Sequence, residues 1–216
     1  MLSSVRYYFL RRFLMRNKTS GIISECAIML ALAFALSCAK LYEMPLGGSV
    51  TVGSMLPIMM ISIKHGPKIG LFTSFLYSLT QAAQALASGN VFPYCESGAT
   101  LVTCVLFDYL VPFTILGFCG WFVKKKLFKS DDVGIYVGIS ACVVLRFICH
   151  FITGVVIWGQ WAPEGMGKYL YSFLYNGSFL GVDFLIVVAL TFFLLKKAEL
   201  RRVLGVSPLK EDGAEA

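Results

Sequence analysis

Charge is scarce in this sequence. Only 14% of its 216 residues are Asp, Glu, Lys or Arg, while 57% are hydrophobic, and the mean hydropathy is +0.75. Soluble domains carry about a quarter charged residues, so that balance excludes a soluble fold. No CxxC pair occurs among Cys26, Cys38, Cys95, Cys104, Cys119, Cys142 and Cys149. All but Cys95 lie in apolar runs, where cysteine behaves as a small buried hydrophobe. Neither a disulfide framework nor a metal site is expected. A phosphate-binding loop is missing too: around Gly167-Lys168, Ala162 stands where the first glycine belongs and Tyr169 where Ser or Thr belongs. ATP-driven work must then come from another chain. A cleavable signal peptide is not expected, because Arg11, Arg12 and Arg16 interrupt the apolar patches of residues 1–21.

What the sequence does have is long apolar runs. A bilayer core needs roughly 20 apolar residues per helix, and Ile22–Ala39, Ile69–Ala87, Ala99–Val123, Val133–Trp158 and Leu170–Leu195 meet that need. A sixth run, Val50–Ile63, is short and contains Pro57; alone it reads as a buried or re-entrant segment. The charges on either side of it require a crossing. Sixteen of the nineteen Lys and Arg fall at the N-terminus, the Lys64/Lys68 turn, the Lys124–Lys129 loop and the tail from Lys196, which are alternate ends of six spans. The other loops hold only Lys40 and Lys168. Positive-inside orientation puts both termini in the cytoplasm, and topology rather than nucleic-acid binding accounts for the net charge of +7. The expected fold is an all-α integral membrane protein of six transmembrane helices. Residues 1–21 form a basic amphipathic segment with Tyr7, Tyr8, Phe9 and Phe13 at the lipid surface, residues 22–195 the membrane domain, and residues 196–216 a cytoplasmic tail.

Ionisable groups inside spans are costly and usually functional. Here they are Glu25, Asp108, Arg146, His150 and Asp183. At about 1.5 Å of rise per residue, Asp108 lies roughly 14 Å below the outer surface, His150 roughly 12 Å and Asn176 roughly 9 Å. Trp158 and Tyr171 lie near the rim. The outer half of the bilayer therefore collects a carboxylate, an imidazole, an amide and several aromatics, with Arg146/His150 and Tyr171/Tyr175 each spaced to share a helix face. That chemistry suits a flat cationic ligand, through cation–π contact and a countercharge. Other readings stand beside it. Trp158, Trp161 and Tyr171 can form an aromatic belt, Asp108 and Arg146 a structural ion pair, and His150 a packed, hydrogen-bonded residue. Asp183 can cap polar backbone elsewhere and is assigned to no site, and Glu25, near the inner interface, can simply snorkel. On the first span, Ala27, Ala31 and Ala35 recur every four residues, a small-residue ridge that lets another helix approach closely.

Together these segments resemble the thiamine-specific substrate-binding (S) components of energy-coupling factor vitamin transporters, over about residues 22–195. The resemblance is carried by Arg146 through Trp158, by Trp161 to Met166, and by Tyr171 to Asn176-Gly177. Gly47 to Ile58 and the pair Asp108-Tyr109 add to it. It implies the S-component fold, with six helices around a thiamine pocket near the outer surface, closed by the loop between the first two helices. It further implies Trp158 stacked on the ligand rings, Tyr171 completing the aromatic wall, and Asp108, His150 and Asn176 on the polar edges of the ligand. Tyr109 and Arg146 complete the ligand-binding set. The alanine ridge would dock onto a transmembrane coupling subunit that works with two ATPase subunits in a bacterial plasma membrane. Some relatives carry Glu at the place of Asp108, Lys at that of Arg146, and an aromatic in the first loop, where this chain has Gly47-Gly48-Ser49. The function so implied is non-enzymatic capture of thiamine, with no cofactor and no catalytic residue. Alternatives are another vitamin or a thiamine precursor as cargo, and an intramembrane hydrolase using His150 with Ser172.

Overall fold

The structure, a computed structural model, describes residues 2–208, with side chains from Lys18 onward. The interfacial placement of Tyr7, Tyr8, Phe9 and Phe13 and the tail beyond Pro208 lie outside the described part. Helix α1 runs without a break over Leu2–Cys38, so the basic segment of residues 1–21 continues into the first span rather than forming a separate element. A two-stranded antiparallel hairpin follows, β1 over Lys40–Glu43 and β2 over Ser49–Thr51. Then come α2 (Leu56–His65), α3 (Pro67–Ser88), α4 (Gly98–Lys124), α5 (Asp131–Val156), α6 (Lys168–Leu195) and the short α7 (Ala198–Leu204).

Four helical stretches are long and apolar enough to cross a membrane: Lys18–Cys38, α4, α5 and α6. The architecture is that of an all-α, multi-pass membrane protein. Helices α2 and α3 fall outside that set: α3, over the apolar run Ile69–Ala87, has the length with its 22 residues, and α2 is short. Its ten residues rise about 15 Å, half of a bilayer core, and every residue from Leu56 to Ile63 is buried. It works as a central post, sheathed by α1, α3 and α4, and is joined to β2 through a turn over residues 52–55 in which Gly53 takes φ 73°. A sharp turn through Gly66 (φ 89°) and Pro67 sends the chain straight back into α3.

Helix α4 is irregular where the site candidates lie. Val105–Leu110 is a π-helical turn, with the Val111 N–H bonded to the Leu106 carbonyl. Pro112 has no N–H to offer the carbonyl of Asp108 four residues earlier, and widening the preceding turn accommodates that loss. The result turns Asp108 inward, where it is 9% exposed.

Candidate functional site

All seven residues singled out from the sequence for ligand binding line one cavity of about 110 Å³. Asp108 and Tyr109 come from the π-turn of α4, and Arg146 and His150 from adjacent turns of α5. Trp158 comes from the 3-10 turn after α5, and Tyr171 and Asn176 from the first half of α6. The depths obtained from helical rise are consistent with Asp108 and His150 meeting across the bundle, as they do.

The Asp108 carboxylate is the hub. His150 Nδ1 lies 3.0 Å from Oδ1, the Thr153 hydroxyl donates to the same oxygen, and Trp158 Nε1 donates to Oδ2 at 3.0 Å. A carboxylate offers about four acceptor positions, and among the described residues Trp158 is the one nitrogen donor on Oδ2, with the Cys104 thiol also close to the carboxylate. Trp158 is 9% exposed and tethered by its indole N–H, which makes it a wall of the cavity. Trp161, 48% exposed, lies on the surface instead, packed edge-to-face on Tyr94 at 5.6 Å.

Arg146 does not pair with Asp108. Its guanidinium stacks 4.3 Å from the Phe113 centroid, Nη1 points at Met55 Sδ at 2.8 Å, and Nε donates to His150 Nε2 at 3.3 Å. Accepting at Nε2 leaves Nδ1 of His150 to donate to Asp108, which fixes one neutral tautomer. Among the described residues no carboxylate comes within ion-pair distance of Arg146. Asp183 supplies a countercharge beyond ion-pair distance, and Phe113 and Met55 surround the buried guanidinium with π and polarisable density.

Asn176 donates through Nδ2 to the His150 carbonyl at 3.1 Å and to the Ser172 carbonyl at 2.9 Å. No hydrogen bond among the described residues uses its Oδ1. Ser172 donates to the Phe151 carbonyl at 2.8 Å and makes no hydrogen bond to His150, so the nucleophile–base contact of the hydrolase alternative is missing. Tyr109 packs on Phe92 at 5.4 Å and Tyr171 on Tyr175 at 5.7 Å, giving the cavity aromatic sides.

The hairpin loop covers the cavity. Tyr175 accepts from the Gly48 N–H at 3.0 Å and donates to the Pro45 carbonyl, pinning the loop to α6. Two glycines make that approach possible. A Cβ at Gly48 would meet Tyr175 Oη at 2.9 Å and Phe179 at 3.0 Å, and Gly47 takes φ +99° with Val91 behind it. At the hairpin base, Asp183 Oδ1 accepts from the Thr51 N–H at 2.8 Å and lies 3.3 Å from its hydroxyl. Asp183 therefore caps polar backbone, as the sequence left open, and the partner it caps, β2, was not legible there. Glu43 stands at the rim beside Lys40 Nζ at 2.7 Å, and this bond, with the ammonium charge, holds its carboxyl below the usual carboxylate range.

Residues 23–202 match the profile of the thiamine transporter protein family (Thia_YuaJ). The chain belongs to the thiamine transporter family. Its relatives include the thiamine transporter ThiT of Bacillus subtilis (strain 168), 34% identical over 171 residues that span 75% of this chain and 83% of that protein. ThiT of Lacticaseibacillus paracasei is 24% identical over 170 residues, 75% of this chain and 80% of that one. The solved structure of ThiT from Listeria monocytogenes superposes with a TM-score of 0.67 at 24% identity, covering 87% of this chain and 98% of that one, and so shares the fold. Thiamine transporters are transport proteins, not enzymes.

Several residues that support or line the cavity of this thiamine transporter family member escaped the sequence reading. Thr153, which bonds Asp108 without lining the cavity, carried a signal: it follows His150 by three residues, one helical turn along the same face. Phe113, Gln81, Gln84 and Glu43 do line the cavity, but each sits on an element whose approach to α5 no local pattern announces.

Proposed function

We propose that the chain captures thiamine in the cavity beneath the hairpin loop, as the substrate-binding subunit of an energy-coupling factor transporter. The observation that carries this reading is the convergence of Asp108, Tyr109, Arg146, His150, Trp158, Tyr171 and Asn176 on one cavity, with Trp158 turned inward. Thiamine joins a flat aminopyrimidine to a permanent thiazolium cation. Trp158 and Tyr171 provide faces for stacking and cation–π contact. The Oδ2 of Asp108 and the Oδ1 of Asn176 suit the amino group of the pyrimidine, whereas Arg146 serves the hydrogen-bond-accepting edge of that neutral ring. Like charge keeps the thiazolium away from Arg146 and toward the Glu43 side. No cofactor and no metal takes part. The test is calorimetry of the detergent-purified chain against thiamine, thiamine monophosphate and riboflavin. One-to-one binding of thiamine without turnover supports the proposal. Preference for one of the other two ligands replaces it with the reading in which the cargo is a precursor or another vitamin.

The same reading includes energy coupling through partners. Ala27, Ala31 and Ala35 are all exposed on α1, which supports a close-approach ridge for a transmembrane coupling subunit working with two ATPases. With the Lys/Arg-rich ends inward, both termini lie in the cytoplasm of a bacterial cell and the cavity faces out. Ala31→Leu is expected to abolish co-purification with the ATPase module while thiamine affinity stays within about twofold, because the ridge lies off the cavity. Unchanged recovery of the complex rejects the docking assignment.

A further inference from the structure

A second cleft opens where three membrane helices end. Helix α4 begins at Gly98, α5 ends at Val156 and α6 begins at Lys168, and residues at or beside all three ends line a space of about 360 Å³. Glu96 and Lys168 both face this cleft and both are exposed. Neither forms an ion pair with the other or with any described residue; Lys168 rests only on the Tyr169 ring, 5.6 Å from its centroid. One uncompensated anion and one uncompensated cation in a shared cleft are complementary to a zwitterion. Lys168 is also one of just two Lys or Arg in the loops at this end of the spans, where membrane topology disfavours cations.

Depth narrows the ligand further. Tyr94, on the cleft wall, and Trp161 pack edge-to-face and are 41% and 48% exposed, as expected for aromatics at headgroup level. Directly below, α5 presents Ile148, Ile152 and Val156, four residues apart and 44%, 43% and 66% exposed. They form a single apolar stripe that runs up to the cleft, and Val156 belongs to both.

We propose that this cleft seats the headgroup of a zwitterionic phospholipid, with the phosphate on Lys168 and the ammonium on Glu96 and the Tyr94 ring. One acyl chain lies along the α5 stripe. The Gln160 amide adds a polar edge to the lining, whereas the Thr100 hydroxyl is held in the capping box with Ser97. The site is separate from the thiamine cavity and shares no lining residue with it.

Native mass spectrometry of the full chain, released from nanodiscs containing phosphatidylethanolamine, phosphatidylglycerol and diacylglycerol of matched acyl chains, tests this. The parent is expected to retain phosphatidylethanolamine about fivefold more than either other lipid, as weak surface charge pairing allows. E96Q/K168Q is expected to lower that retention to the diacylglycerol level, with an unchanged unfolding temperature in detergent as the check on its fold. Equal retention of the three lipids by the parent overturns the proposal, as does unchanged phosphatidylethanolamine retention in E96Q/K168Q. Displacement of the lipid by an equal concentration of glycerophosphoethanolamine also overturns it, by placing a soluble zwitterion in the cleft.

Discussion

At the end of the bundle that carries the Lys/Arg-rich turns, buried and half-buried charges meet opposite charges. Glu25 bonds Lys64 and His65 of α2, Asp131 bonds Lys126 at 2.7 Å, and Asp132 bonds Arg201 at 2.8 Å. Asp131 also accepts from the Ser207 N–H at 2.9 Å and its hydroxyl at 2.7 Å, tying down the chain after α7. At the cavity end, the carboxylate of Asp108 is held by neutral donors, and Arg146 rests on a thioether, a ring and an imidazole. Charges of the first kind are spent on the fold. Those of the second kind are oriented and desolvated, as a binding site requires.

Substitutions at the two ends should therefore separate stability from binding. The largest effect is expected for Asp108→Ala. It leaves the Trp158 indole N–H, His150 Nδ1 and the Thr153 hydroxyl without their shared acceptor, each loss costing about 1–3 kcal/mol. Unfolding stability should fall by about 3 kcal/mol or more, and thiamine binding should be lost with it. At the other end, Asp132→Ala removes the carboxylate from Arg201, which is 4% exposed. The cost should be about 2–3 kcal/mol, below that of a wholly buried pair because Asp132 is partly solvated. Thiamine affinity, measured by calorimetry below the unfolding temperature, should not change. A matching loss of affinity in Asp132→Ala would break the contrast.

A smaller effect belongs to Glu43 at the rim. Its carboxyl is held below its ordinary value near 4.5, so it stays ionised from pH 7 to pH 5 and gains a proton only below that range. Glu43→Gln should weaken thiamine binding by about 1 kcal/mol or less, as expected of an exposed charge. The difference between parent and variant should stay constant down to pH 5 and shrink at lower pH. A difference that already shrinks between pH 7 and pH 6 would assign the titration to another group.

Much of this arrangement was legible in advance. Hydropathy located the spans of α1, α4, α5 and α6, and the helical rise put Asp108, His150 and Asn176 at neighbouring depths. Inward-facing polar residues are rare enough in membrane helices that a short list suffices. Contacts made by ordinary residues across elements were not legible. Met55 and Phe113 look like any buried apolar side chain, yet they are the groups in direct contact with the Arg146 guanidinium. The π-turn that aims Asp108 follows from Pro112, but a proline in a span signals only that some distortion exists. The hairpin lid is built from Gly47 and Gly48, whose need for a missing Cβ depends on Val91, Tyr175 and Phe179, residues some 40 to 130 positions away in the chain.

Indole fluorescence tests most directly whether thiamine lies in the cavity against Trp158. Trp121 is 39% exposed near the opposite end of α4, and Trp161 faces the surface. Thiamine should quench the parent protein, and most of that quench should survive Trp121→Phe and disappear in Trp158→Leu. The same Trp158→Leu protein should bind thiamine about thirtyfold more weakly, the equivalent of about 2 kcal/mol of lost stacking and cation–π contact. Parent-like affinity in Trp158→Leu would contradict the placement of the ligand in this cavity.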